Sequence, residues 1–272
     1  MTLYLKILFQ DICSASKHWD EPIPECLAAR WYEFLDDLIN CQVFSFDRNI
    51  SVNLNDDSNI SLHGFSDASN LAYGAAIYVR VQNEDSVTVN LMAGKTRVAP
   101  LIRPTMPRME LLGCLILGRI MKMIVEAVND NLKIDNCHFY TDSMISLGWI
   151  RGLDREFKQF VENRLREIRR ITDVSNWHYI PGVNNISDIS SRGSLPSKLR
   201  ENSNWLHGPD FLHELDVQHD RFESTLIKVD EFSEDKQPPR KGQPRVEVLS
   251  CFEVDTQGNP KVDHSNLVVD IR

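Results

Sequence analysis

The chain has 272 residues, of which 42% are hydrophobic and 25% charged, with a net charge of −9. That length supports one or two packed domains, and the six scattered cysteines contain no Cys-x-x-Cys pair, which argues against a disulfide framework and against a structural zinc site and points to a reducing compartment. No stretch is long enough to span a membrane, and the acidic balance leaves a polyanion partner open, because residues 59–194 hold 16 basic against 14 acidic side chains.

In chain order, Met1–Phe9 is apolar but interrupted by Lys6, with no basic segment before it, so a helix start is predicted rather than a secretory leader. Pro22 and Pro24 lead into a helical pattern with Leu27, Trp31, Phe34, Leu35, Leu38 and Ile39 on one face. Phe34-Leu35-Asp36-Asp37 superficially matches a polymerase aromatic-x-Asp-Asp signature. It sits in a helical period with too little chain before it to build a palm, and is read as a solvated helix face.

From residue 59 the pattern turns to strands. Ile60, Leu62 and Gly64 lead to Asp67, Tyr73–Val81 returns, and Val87, Val89, Leu91 and Ala93 alternate with polar residues after the turn at Asn83-Glu84-Asp85. Three strands this close predict an antiparallel meander. Pro104 and Pro107 precede a helix to about Val128 that is apolar nearly all round and therefore buried. A fourth strand is predicted over Ile134–Thr141, ending at Asp142. An amphipathic helix follows, with Phe157, Phe160, Val161, Leu165, Ile168 and Ile171 inside and Lys158, Arg166, Arg169 and Arg170 outside. Asn176–Ile180 reads as a fifth strand, and Asn184–Gly193 as a short helix stopped by glycine. Trp149 and Trp177 read as core. After Leu195 periodicity fades: Trp205–Leu212 is a docking segment, 214–244 reads as linker, and a late strand is placed at Val246–Val254. His207, His213 and His219 lack paired cysteines, so no zinc site is expected from them.

Four carboxylates carry the chemistry. Asp67 and Asp142 end strands, Glu110 lies in a first helical turn, and Asp188 lies in a helix entered from a strand. Singly, each would serve as a turn, cap or helix-start residue. Together, at one sheet edge and without arginines, they would repel unless cations were bound. All-oxygen donors favour Mg²⁺ or Mn²⁺, and two such ions are the usual device for in-line displacement at a phosphodiester.

The strand–strand–strand–helix–strand–helix–strand–helix order with Asp, Glu, Asp, Asp in those places resembles the ribonuclease H fold. More narrowly, Gly64-Phe65-Ser66-Asp67-Ala68-Ser69, Pro107-Arg108-Met109-Glu110-Leu111, Tyr140-Thr141-Asp142-Ser143 and Ser187-Asp188-x-x-Ser191-Arg192-Gly193 resemble the RNase H segment of BEL/Pao-type retrotransposon Pol polyproteins. The resemblance implies an α/β fold: a five-stranded mixed sheet, a three-strand antiparallel meander plus parallel strands, with helices on both faces. It divides the chain into a helical 1–58 similar to the reverse transcriptase-to-RNase H connection, an RNase H-like 59–194, and a partly disordered 195–272 leading toward integrase.

It also implies hydrolysis of the RNA strand of RNA–DNA hybrids with two Mg²⁺ ions, Mn²⁺ substituting. Asp67 would bridge both ions, Asp188 would help hold the one that activates water, and Glu110 and Asp142 would hold the other. The 2′-hydroxyl would be read near Ala68–Asn70, including Ser69 and Asn70, and phosphates would be met by Arg108, Ser143, Arg151 and Arg192, giving salt-sensitive binding. Reverse transcriptase and integrase portions of the same polyprotein are the implied partners, in cytoplasmic virus-like particles and the nucleus. Many cellular relatives carry a histidine in the loop before the last aspartate. Here that loop is Gly182-Val183-Asn184-Asn185, which implies slow turnover. A rival from the binding class is a catalytically silent fragment that holds hybrid or protein, although such a remnant has no chemical reason to keep the full acidic set. An aspartic peptidase is rejected, since neither Asp142-Ser143-Met144 nor Asp67-Ala68-Ser69 supplies the Asp-Thr/Ser-Gly turn.

Overall fold

The computed structural model describes residues 2–16, 18, 20–41, 58–130, 132–153 and 157–223, together with 253–254 and 260–261. Two helices, α1 (Thr2–Ala15) and α2 (Glu25–Asn40), precede β1 (Asn59–Ala68), β2 (Ala72–Gln82) and β3 (Val87–Val98). Then come α3 (Met106–Val128), β4 (Asn136–Thr141), α4 (Met144–Arg151), α5 (Gln159–Ile171), β5 (Trp177–Tyr179), α6 (Asp188–Arg192), α7 (Pro196–Glu201) and α8 (Ser203–His207). The five strands form one sheet in the order β3-β2-β1-β4-β5. β1–β2 and β2–β3 are antiparallel, whereas β4 runs parallel to β1 and β5 parallel to β4. This is the predicted meander plus parallel strands. Among the described residues no helix is long and apolar enough to cross a membrane.

The central strand β1 is buried on both faces, as a strand flanked by layers must be. On the first face lie α3, α4 and α5, with Leu111, Leu117, Met121, Trp149, Val161, Leu165, Ile168 and Trp177 buried among them. Both tryptophans are core, as expected, at 1% and 0% exposure. α3 approaches β1 closely because Gly64 has no side chain: a β-carbon there would overlap Leu117 and come to 3.0 Å from Met121 Cε. Gly64→Ala is therefore expected to cost about 1–3 kcal/mol through overpacking. In a domain of this size that corresponds to a fall in Tm of roughly 2–10 °C, read by circular dichroism. A Tm unchanged from the parent would show that this helix–strand contact is not tight.

The second face carries Phe65, Ala76, Tyr78, Val89, Tyr140 and Ile180. It is covered by the stretch following α7, in which Phe211 and Leu212 are buried and Trp205 and Phe222 pack alongside. Tyr78 Oη donates to the Trp205 carbonyl (2.9 Å). Arg80, only 4% exposed, donates to the carbonyls of Leu212 (2.9 Å), Glu214 (2.7 Å) and Leu215 (3.3 Å). The packed unit thus runs past the boundary expected at residue 194, and the part of the expected linker from 214 to 223 lies on the sheet. Of the linker 214–244 and the late strand at 246–254, residues 224–252 lie outside the described residues. Glu253–Val254 pairs antiparallel with Pro260–Lys261.

Two helical faces differ from expectation. On α2 only Phe34 is buried, stacked on Tyr4 of α1 (5.7 Å between ring centroids), while Trp31, Leu38 and Ile39 stand 42%, 43% and 79% exposed. Asp37, read as solvated, accepts from the Ser197 backbone N–H (3.0 Å) and so ties α2 to α7. On α5, Arg169 is not a solvated charge: it donates to the carbonyls of Trp149 (2.6 Å), Ile150 (3.1 Å) and Gly152 (3.0 Å), capping the end of α4.

Candidate functional site

The site begins with strand register. In the parallel β1–β4 pair, Ser66 lies opposite Thr141 as the last matched position. The next residue along each strand is an aspartate, so Asp67 and Asp142 emerge side by side at one end of the sheet. Asp67 remains in the ladder on its other side, opposite Gly74 of β2. α3 starts over this end, and Gly113 passes so close that a β-carbon would sit 3.1 Å from the Asp67 carbonyl oxygen. Glu110, one turn into α3, is thereby held near both aspartates. Asp188 opens α6, which packs across β1 and β2.

Hydroxyl and amide groups orient these carboxylates. Ser143, the N-cap of α4, accepts from the Ser146 N–H (3.1 Å) and donates its own proton to Glu110. Ser191 of α6 donates to Asp67. Asn185 donates to the Ser66 carbonyl (2.9 Å) and lies close enough to Asp142 to favour its charged form. Arg192 Nε donates to Asp188 Oδ1 at 2.5 Å, so one of the four has an arginine partner, contrary to the sequence reading of an acid set without arginines.

Burial and mutual repulsion leave their mark on the other three. Burial pushes Asp67 up to about 6; the Ser191 hydrogen bond partly offsets this, and Asp142 and Asp188 add to it. Burial pushes Glu110 up to about 7, opposed by Ser143 and reinforced by Asp142 and Asp67. Asp142 is raised for the same reason, with Asn185 opposing and Asp188 adding. Such shifts mark anions held together without enough compensating charge. The donors are all hard oxygens, the set Mg²⁺ and Mn²⁺ take, and by donor chemistry the site fits them. No three of the four place their oxygens all within 4.8 Å of one another. The hydrogen bonds from Ser143 and Ser191 engage acceptor positions that a cation would use.

The six residues expected to meet nucleic acid fare differently. Asn70 is exposed at the β1–β2 turn. Ser69 builds that turn, accepting from the N–H groups of Leu71 and Ala72 and donating to the Ser191 carbonyl (2.7 Å). Ser143 serves Glu110, and Arg192 serves Asp188. Arg108 lies near the site on α3, its guanidinium 5.3 Å from the Phe160 ring centroid. Arg151 is not brought to the carboxylates: it sits at the far end of α4, donating to the Trp177 carbonyl (2.6 Å) and to Glu223 (2.8 and 3.0 Å). Ser191 and Asn185 were missed as site residues. Ser191 had a signal, because three residues after Asp188 on a helix it shares that residue's face.

Comparison with known proteins follows from this geometry. No curated protein sequence matches the chain. Among solved structures it is similar to LC11-RNase H1 in complex with an RNA/DNA hybrid, at 16% identity over 52% of this chain and 99% of that one, TM-score 0.35. RNase H1 of the archaeon Halobacterium salinarum NRC-1 matches at 14% identity over 47% and 89%, TM-score 0.29. The N-terminal RNase H domain of a Mycobacterium tuberculosis protein matches at 11% over 54% and 100%, TM-score 0.33. The model of one family matches residues 1–143, a span that includes α1, α2 and the first three carboxylates. With over half of its length matched by that model, the chain belongs to the Pao retrotransposon-like RNaseH-like domain family.

Proposed function

We propose that the chain hydrolyses the RNA strand of RNA–DNA hybrids at the end of the sheet where Asp67, Glu110, Asp142 and Asp188 gather. The observation that carries this reading is the parallel β1–β4 register, which sets two aspartates side by side with a half-buried glutamate near both. Asp67, Glu110, Asp142 and Asp188 would together hold the divalent ions. When bound, Mg²⁺ or Mn²⁺ supplies Lewis-acid activation of water and neutralises charge developing on the phosphoryl oxygens.

The protein's own groups do the positioning. Ser191 fixes Asp67 and Ser143 fixes Glu110 from a helix cap, while Asn185 lies beside Asp142 and favours its charged form. Arg192 steadies Asp188 and, in this reading, would also meet an incoming phosphate. The exposed turn at Ser69–Asn70 would offer groups to a ribose 2′-hydroxyl, the feature that separates RNA from DNA, and Arg108 would meet backbone phosphate. Arg151 is left out of this surface. The catalytic unit in this reading is residues 59–223, working beside reverse transcriptase and integrase portions of one polyprotein in cytoplasmic virus-like particles and the nucleus.

The test is cleavage of a hybrid labelled on its RNA strand, by the full chain, in Mg²⁺, in Mn²⁺ and in EDTA. Expected are RNA fragments with 5′-phosphate and 3′-hydroxyl ends in either ion and none in EDTA, with rates falling as salt rises. A folded chain that binds hybrid but cuts it in neither ion would instead establish the silent binding module. Equal cutting with EDTA present would overturn the cation requirement.

A further inference from the structure

The tightest gatherings of potential ligand atoms among the described residues lie away from the carboxylates. His138, His178 and His219 each present a ligand atom within 4.8 Å of the others. His138 stands on β4, four residues and thus roughly 13 Å before Asp142. His178 stands beside it on β5, opposite Tyr140. His219 arrives from the segment that covers the second sheet face, its ring stacked on His138 with centroids 3.6 Å apart.

The spacing and the partners are compatible with a bound metal ion. His138 Nδ1 and His178 Nε2 are 3.2 Å apart. Two nitrogens each about 2.0–2.1 Å from a tetrahedral Zn²⁺ stand about 3.3–3.4 Å apart. The third nitrogen, on the partly buried His219 ring, lies within 4.8 Å of the other two. His178 Nδ1 meets Asp220 Oδ1 at 2.9 Å. With the proton on that nitrogen, the lone pair of Nε2 faces His138, in the carboxylate–histidine arrangement that orients zinc ligands. His219 Nδ1 meets Tyr140 Oη at 2.7 Å, which leaves its Nε2 free in the same way. An open cavity of about 400 Å³, lined by His63, His138, His219 and Arg80, gives an ion a way in.

We propose that His138, His178 and His219 form a zinc-class metal site that pins residues 214–223 to β4 and β5, with a fourth position left to water. Three imidazoles select a borderline d-block ion such as Zn²⁺, where the carboxylate cluster selects a hard one. The site is separate from the proposed nuclease chemistry and stands or falls without it.

The test is titration of the chelator-treated full chain with Zn²⁺, and in parallel with Co²⁺ read by its visible absorption, in excess Mg²⁺ to occupy the carboxylates. Expected are one Zn²⁺ per chain, bound more tightly than about 1 µM, a four- or five-coordinate Co²⁺ spectrum, and a higher Tm with Zn²⁺. His219→Ala and His138→Ala should each weaken binding by at least about tenfold, whereas His207→Ala, outside the cluster, should not. Absence of zinc uptake by the folded chain would overturn the site, as would uptake indifferent to His219→Ala and His138→Ala. Should either variant unfold, imidazole NMR of the parent decides: zinc must shift the signals of all three histidines, and unshifted signals would leave only a hydrogen-bonded histidine chain.

Discussion

Asp67→Asn is expected to lower hybrid cleavage by about 10³-fold or more, equivalent to ~4 kcal/mol of activation free energy, while preserving the fold. Asparagine keeps the shape and an acceptor oxygen for Ser191, and the backbone pairing of residue 67 with Gly74 does not involve the side chain. What the substitution removes is the anion. The parent carboxyl is 8% exposed and raised to about 6, chiefly by burial. A carboxyl raised in the folded state contributes stability below its ordinary pKa near 4 and loses that contribution as pH rises through about 6. At pH 8 without divalent ions the parent therefore carries a buried, repelled charge that the variant lacks. The variant's Tm in EDTA should equal or exceed the parent's, and Mg²⁺ or Mn²⁺ should raise the parent's Tm more than the variant's. Loss of cutting with intact or increased Tm separates catalysis from folding. Undiminished cutting by the variant would discard the role assigned to Asp67.

The parts of this picture that were legible in the sequence are those written in local pattern. Alternation over Val87–Ala93 and the apolar run before Asp67 reported strands, and the prolines before Glu110 reported a helix start. Their order brought Asp67 and Asp142 to one sheet end once β1 and β4 were taken as neighbours. Electrostatic partners were harder to read. The Asp188–Arg192 pair is an i,i+4 contact visible in principle, yet the acid set was taken as free of arginine. Arg151 reads as a phosphate contact and Arg169 as surface charge because a sequence shows neither the Trp177 carbonyl nor the carbonyls at the end of α4 that they bind. The histidine cluster draws on residues 138, 178 and 219, whose spacing carries no motif because the sheet, not the chain, makes them neighbours. The same holds for the second face: a cover built from a five-residue helix, a 3₁₀ turn and loops has no period to detect.

That cover supports the second expectation. A chain ending at residue 194 should be insoluble or lose most of its stability, whereas one ending at residue 223 should fold. The segment between them buries Phe211 (6% exposed) and Leu212 (0%) against Phe65, Tyr78 and Tyr140, with Trp205 and Phe222 packed at its margins. At about 1.5–3 kcal/mol for each buried large side chain, its removal forfeits on the order of 5 kcal/mol or more, against a total of about 5–15 for a typical domain. Arg80 loses its three carbonyl acceptors but regains water, so the charge itself adds little to the loss. The apolar strip it borders is the greater liability, because Phe65, Tyr78, Val89, Tyr140 and Ile180 together would form a contiguous exposed patch of the kind that drives association. Leu212→Ala, which leaves the segment in place and opens a cavity beneath it, should cost about 2–5 kcal/mol and give a graded version of the same result. Thermal melts and gel filtration of the two truncations decide the matter. A soluble monomer from residues 1–194, melting within a few degrees of the longer chain, would mean that the sheet is stable with one face bare and that the segment after α7 is an accessory to this fold.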